Sequence, residues 1–264
     1  MAELSATEIA PGVHVATAEK YTTTTAIVAG ADGGCLLVDP AVSVADLAAL
    51  AGWLSDRGLR PVAGWSTHPH WDHLLWSRAL GAAPRYATPP AVAVAAREEA
   101  ALIRAVEAEA PGHDLTLFAR VQPLLGHEID WPGPRALVYA HDAHAPGHGA
   151  VFLPDSGVLI AGDMCSDVEI PLLDLDAPDP FGGYREGLRV LASVPGVHTV
   201  VPGHGHVGDD AEFRRRVTAD LGYLDAVQAG GDIDDPRLTE EWLRTEHARH
   251  RARAAAARRG GRGQ

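Results

Sequence analysis

The sequence predicts an α/β protein in which two stacked β-sheets are covered on their outer faces by helices. Three observations predict it. Short β-rich runs punctuated by Gly and Pro alternate with stretches of helical apolar spacing, and this strands-then-helices order occurs twice along the chain. Of the 264 residues 46% are apolar, enough to fill a sizeable core.

The elements follow in order. GVHVATA (12–18), TTTAIVAG (23–30) and GCLLVDP (34–40) read as a meander of strands separated by turn residues. Residues 44–58 carry helical apolar spacing and stop at Gly58. PVAGWSTH then reads as a strand running into a histidine-rich turn, and residues 91–110, rich in Ala and Glu, as one helix. In the second half VQPLLG, ALVYAHDA, AVFLPD and GVLIAGD read as strands, with PDSG as a hairpin turn. FGGYREGLRVLASV reads as a helix, HTVVPGHG as a buried strand, and residues 210–230 as a long amphipathic helix. The expected domain is residues 1–240. From Glu241 onward seven Arg face two Glu, and residues 241–264 are expected to be a helix end fraying into a flexible, Arg-rich tail, with docking to an acidic partner as the sharper alternative.

Composition narrows the function. A formal net charge of −13 and a pI near 5.4 argue against a nucleic-acid partner, whose binding face needs a basic excess. The two cysteines cannot build a disulfide framework. The first residues, MAELSATEIAPG, lack a basic start followed by an apolar run, and no apolar stretch is long enough for a membrane span; a cytoplasmic protein is the expectation.

The chemistry concentrates in STHPHWDHLL, Ser66 to Leu75, which holds His68, His70, Asp72 and His73. Side chains two apart on an extended segment leave the same face, so His68 and His70 can converge on one ion. Asp72 and His73 sit a turn onward and point elsewhere, which makes a second ion natural. Neutral imidazole and carboxylate are suitable zinc ligands.

With these residues the sequence resembles the metallo-β-lactamase-fold hydrolases, whose signature is H-x-H-x-D-H. LLVDP resembles the family's early strand ending in Asp39, HAPGH the segment giving a third histidine, IAGD the strand ending in the bridging acid, and VVPGHG the last motif, with His204. The segments occur in the family's order between about residues 12 and 206. The resemblance implies a four-layer αββα sandwich of two mixed β-sheets flanked by helices. It implies one metal on His68, His70 and His144, a second on Asp72, His73 and His204, and Asp163 bridging both. HDAHAPGHG offers His148 as the competitor of His144; if His144 binds, His148 orients a ligand or packs beneath the loop, and His141 is expected to face solvent. Asp39 would orient a ligand or the turn backbone, with a strand-end cap as its bland alternative, and His206 would be a bystander.

The function implied is a dinuclear zinc hydrolase attacking a small carbonyl substrate (a lactone, ester, amide or thioester) with a metal-bridging hydroxide, Asp72 helping to deliver the leaving atom's proton. Two ions about 3.5 Å apart can hold one such water. Iron or manganese are the alternative metals. In the β-lactamases proper a cysteine replaces the bridging acid; Asp163 looks more like glyoxalase II and the acyl-homoserine lactonases, and Cys165 reads as a buried neighbour. The rivals are a β-lactam hydrolase, a mononuclear iron sulfur dioxygenase and a non-catalytic, metal-stabilised binding protein. Trp71, Met164 and Tyr184 are the candidate pocket residues, residues 165–184 are expected to form a loop at its mouth, and Arg214 to Arg216 to be a solvated helix face. The oligomeric state is left open.

Overall fold

The computed structural model describes residues 5–231 and 233–260. The strands are β1 (Ala6–Ala10), β2 (Val13–Thr17), β3 (Thr24–Ala29), β4 (Gly34–Val38), β5 (Arg60–Trp65), β6 (Arg85–Ala87), β7 (Gln122–Pro123), β8 (Leu137–His141), β9 (His148–Leu153), β10 (Val158–Gly162), β11 (Thr199–Pro202) and β12 (Gly208–Asp209). The first seven form one sheet in chain order, antiparallel through β4 and parallel from β4 to β7. The second sheet has the order β12-β11-β10-β9-β8, with β10 and β11 parallel and the other pairs antiparallel. The helices are α1 (Val44–Asp56), α2 (Pro89–Arg97), α3 (Glu99–Glu109), α4 (Pro180–Ala192), α5 (Asp210–Ala229) and α6 (Glu241–Gly260).

Strand alternation builds the layers. In β4, Leu36 and Val38 join Val158 and Ile160 of β10 in the core between the sheets. Cys35 and Leu37 point the other way, against Leu47, Leu50 and Leu54 of α1 and Leu102 and Val106 of α3. In β10, Leu159 and Ala161 face outward against Leu188 and Leu191 of α4 and Phe213 and Leu224 of α5. Two mixed sheets packed face to face, with helices outside both, make the four-layer αββα sandwich.

Local chemistry starts the helices where they start. Ser43 and Asp46 form a reciprocal capping box on α1. Thr88 caps α2 and Asp179 caps α4, each with Pro in the first turn. Asp209 caps α5, which ends on Gly230 in the left-handed conformation.

Three expectations change here. The single helix 91–110 is two helices with a bend at Glu98; Val94 of α2 lines the central pocket while Leu102 and Val106 of α3 stay in the outer core, which one straight helix would not arrange. Residues 241–260 are a continuous helix, not a fraying tail: Leu243, His250 and Ala254 are buried against the body, and this apolar stripe offsets the ordering cost that the Arg count alone suggested would prevail. Residues 261–264 lie outside the described residues. Arg216 is also no solvated residue: it is 2% exposed, pairs with Glu212 at 2.9 Å and donates to the carbonyls of Cys165 and His206.

Candidate metal centre and pocket

The site lies at one edge of the sandwich, where strands from both sheets end. β5 delivers Ser66 to His68, and a single 3-10 turn, Trp71–His73, carries Asp72 and His73. The loop between β8 and β9 supplies His144, the end of β10 supplies Asp163, and the end of β11 supplies His204. Two glycines let the last two approach. A Cβ on Gly203 would collide with Asp163 Oδ1, and Gly162 has a φ of +57° and would place a Cβ against His148.

The ligand-type atoms fall into two groups, His68, His70, His144 and Asp163 in one and Asp72, His73 and His204 in the other, with the atoms of each group within 4.8 Å of one another. In the first, His70 Nδ1 lies 3.0 Å from Nε2 of both His68 and His144. In the second, Asp72 Oδ2 is 3.3 Å from His204 Nε2 and 3.5 Å from His73 Nε2, and those two nitrogens are 3.4 Å apart. Asp163 joins the groups. Its Oδ2 is 3.4 Å from His68 Nε2, 3.4 Å from His144 Nε2 and 3.3 Å from His204 Nε2, and its Oδ1 is 3.2 Å from His73 Nε2.

Partners on the far side of each ring set the ligand tautomers. His144 Nδ1 donates to the Leu172 carbonyl (2.8 Å), and His204 Nδ1 to the Tyr21 carbonyl (3.0 Å). Thr67 Oγ1 donates to Asp39 (2.6 Å) and so accepts from His68 Nδ1 (3.0 Å). In its neutral form each ring thereby aims an unprotonated Nε2 at the centre.

The electrostatics divide the two groups. Burial holds His68, His70 and His144 below the usual imidazole range, His144 down to about 3, so these rings stay neutral and fit to ligate. Burial also pulls on His73 and His204, but the charge of Asp163, with Asp72 and other carboxylates, outweighs it and holds both above that range. Burial pushes Asp163 upward, and His204, His73 and His68 overcome it, leaving the carboxyl ionised. The buried Asp163 Oδ1 has no hydrogen-bond partner, an orphan that a cation would satisfy. Three neutral imidazoles, and two more whose protons a cation would replace, around ionised carboxylates form a donor set that fits divalent metal.

A pocket of about 850 Å³ opens onto these histidines and aspartates. Trp71 lines it, together with Leu172 and Leu175 from the segment after β10 and Trp242 and Arg249 from α6. Met164 and Tyr184, expected in the pocket, are not part of its lining: both belong to the core against α4 and α5, 0% and 2% exposed, because the chain turns after Asp163 and carries Met164 inward. His141, expected to face solvent, is buried (8% exposed) and stacks at 4.5 Å on His148, which stacks at 5.1 Å beneath His68. His148 is thus a packing layer under His68, and His144 is the one brought into the candidate ligand group. His206 is on the rim, paired with Asp167 at 2.9 Å. Asp39 accepts from Thr67 and approaches His73. Cys165 is fully buried in the outer core.

Sequence reasoning missed Glu169 and the α6 residues of the pocket. Glu169 is buried, lines the pocket, and is pushed up to about 7 by burial. No spacing rule marks it; the only signal was its place in the acidic loop assigned to the mouth.

A four-layer αββα sandwich whose strand ends gather histidines and aspartates around one shared carboxylate defines a class of metal-binding proteins. The family model described as the metallo-beta-lactamase superfamily matches residues 20–204, and the chain belongs to that superfamily. Solved structures agree on the fold. A metallo-beta-lactamase family protein from Thermus thermophilus matches with a TM-score of 0.66 at 23% identity, over 96% of this chain and 95% of that one. A beta-lactamase domain protein from Burkholderia ambifaria matches with a TM-score of 0.65 at 19% identity, over 86% of this chain and 77% of that one. A metallo-beta-lactamase from Pseudomonas aeruginosa in its mono-zinc form matches with a TM-score of 0.64 at 17% identity, over 84% and 97%. Comparison with curated proteins finds no match. Among the described residues, no helix is long and apolar enough to cross a membrane.

Proposed function

We propose that the chain is a dinuclear zinc hydrolase that cleaves a small carbonyl substrate: a lactone, ester, amide or thioester. The observation that carries this reading is the position of Asp163, one carboxylate within 3.4 Å of Nε2 of His68, His144 and His204, and so shared by both ligand groups. His68, His70 and His144 would hold one ion, Asp72, His73 and His204 the other, and Asp163 both. When bound, such ions polarise a carbonyl oxygen and bring the pKa of water from about 15.7 toward about 7. The chain's own residues do the rest. Asp72 lines the pocket beside the ligands, placed to carry a proton to the leaving atom. Trp71, Leu172 and Leu175 strip water from the substrate. An aspartate at the shared position, with Cys165 packed away from it, favours the lactone and ester side of the superfamily over β-lactams.

The test is reconstitution with zinc, iron or manganese in turn, followed by assay against lactones, esters, amides, thioesters and a chromogenic β-lactam. The expected result is turnover within the lactone and ester panel by protein carrying two zinc ions, lost in Asp163→Asn. Turnover of the β-lactam alone, oxygen uptake by an iron form alone, or metal bound without turnover would each overturn it.

A further inference from the structure

We propose, resting on the hydrolase reading above, that the substrate carries a cationic nitrogen and that Glu169 receives it. Glu169 is a fixed feature of the site. Its N–H donates to Ser166 Oγ (3.0 Å), and the Ser166 hydroxyl donates to the His204 carbonyl (2.7 Å), so its backbone is tied to that of a ligand. Its side chain lines the pocket although the residue is only 7% exposed. Among the described residues, no hydrogen bond or ion pair reaches its carboxylate. The residue is largely screened from solvent while its carboxylate opens onto the pocket with no protein donor among the described residues, a position from which a ligand can supply one.

The remaining lining has the same sign. Its two arginines are already engaged, Arg97 with Glu98 at 2.8 Å and Arg249 with Glu246 at 2.8 Å. Asp174 and Asp176 also line the pocket, and among the described residues neither has an ion-pair partner. The wall therefore offers acceptors for an ammonium group and no unengaged cation for a carboxylate. A substrate whose carbonyl reaches the ligands and whose amine reaches Glu169 satisfies both ends. β-Lactam antibiotics and other carboxylate-bearing substrates do not.

The test uses three nitrophenyl esters of matched length, of aminocaproate, heptanoate and adipate, which end in an ammonium, a methyl and a carboxylate group. Zinc-loaded protein should prefer the ammonium ester over the methyl ester by about tenfold or more in kcat/KM, mostly through KM, as expected for one charge-assisted hydrogen bond. The carboxylate ester should be the poorest. Glu169→Gln should collapse the ammonium preference toward unity, and Glu169→Asp should keep it. A second readout needs no turnover: tryptophan fluorescence, with Trp71 and Trp242 in the pocket, titrated with n-butylamine hydrochloride and n-butanol. A saturable response to the amine alone, lost in Glu169→Gln, supports the assignment even if no ester is cleaved, in which case the hydrolase reading falls by itself. Ester turnover without ammonium preference overturns the assignment and leaves the hydrolase reading standing. Loss of zinc from Glu169→Gln with equal slowing on all three esters would place Glu169 in the metal centre and overturn it too.

Discussion

Asp39 Oδ2 stands 2.9 Å from Nδ1 of His73, while the same carboxylate accepts the N–H and O–H of Thr67 at 2.8 and 2.6 Å. The contact to His73 is close but poorly aligned for a hydrogen bond, so it acts mainly as charge against ring. One side chain at the end of β4 thus braces the turn that follows β5, and with it rings from both ligand groups, since Thr67 also holds His68. Carboxylates behind ligating histidines fix ring orientation and raise ligand basicity.

Asp39→Asn should therefore weaken metal binding without unfolding the chain. Asn tolerates the left-handed backbone at this position, where φ is +49°. The expected loss is about 10- to 100-fold in affinity, larger for the ion of the Asp72, His73 and His204 group. Competition with a chromogenic chelator, counting ions per chain, measures it; unchanged affinities at both positions would show that Asp39 serves only the backbone.

Gly203→Ala addresses the approach of β11 to β10. The new methyl would collide with Asp163 Oδ1 and press on His73 Cε1 at 3.1 Å and the Gly162 backbone carbon at 3.1 Å. Overpacking of this kind costs about 1–3 kcal/mol. Since the shared carboxylate is what moves, metal content should fall along with the denaturation midpoint. A variant that is destabilised yet binds two ions with native affinity would refute the coupling.

Much of this was legible in the sequence, for physical reasons. The alternation of Leu36 and Val38 against Cys35 and Leu37 fixes which face of β4 meets the other sheet, and the dense ligand cluster from His68 to His73 has few structural uses. Long-range placement was not legible. His141 lies on a strand whose alternation leaves either face open to reading, and only the docking of β9 shows that its ring is covered by His148. Tyr184 and Met164 flank the site in sequence but turn into the core, since short range gives no direction after Gly162. The α6 helix was hidden by its arginines, which mask a sparse buried stripe of Leu243, His250 and Ala254.

Metal removal should destabilise the whole fold. The candidate ligands come from the turn after β5, the β8–β9 loop and the ends of β10 and β11, so only the folded chain assembles them. An ion at a free concentration of 100 times its Kd contributes about 2.7 kcal/mol per site. For a chain of this size that is a fall in Tm of roughly 5–10 °C for each site that chelation empties, reversed by added zinc. Calorimetry with and without chelator measures it, and coincident melting curves would mean that the ligand groups hold nothing in solution.

Acid should loosen the pocket wall through His250. This ring is fully buried in α6; the Leu173 N–H donates to its Nε2 (3.5 Å), so its Nδ1–H donates to the Tyr223 hydroxyl (2.9 Å), which in turn donates to His247 Nδ1 (3.0 Å). Burial, with His247 and Arg249 nearby, pushes His250 down to about 4 from an ordinary value of 6.5. Between those two values the unfolded chain binds the proton and the folded chain does not, so the stabilising contribution is complete above pH 6.5 and is lost as pH falls toward 4. Protonation would also remove the acceptor for Leu173, a pocket-lining residue. His250→Gln keeps a neutral acceptor at all these pH values. Urea midpoints for the natural chain and the variant should therefore converge as pH drops from 7 to 4, because only the former carries this titration. Hydrogen exchange at Leu173 should quicken with acid beyond its intrinsic pH dependence in the natural chain alone. Parallel midpoint curves for the two proteins would mean that His250 does not hold α6 against the pocket.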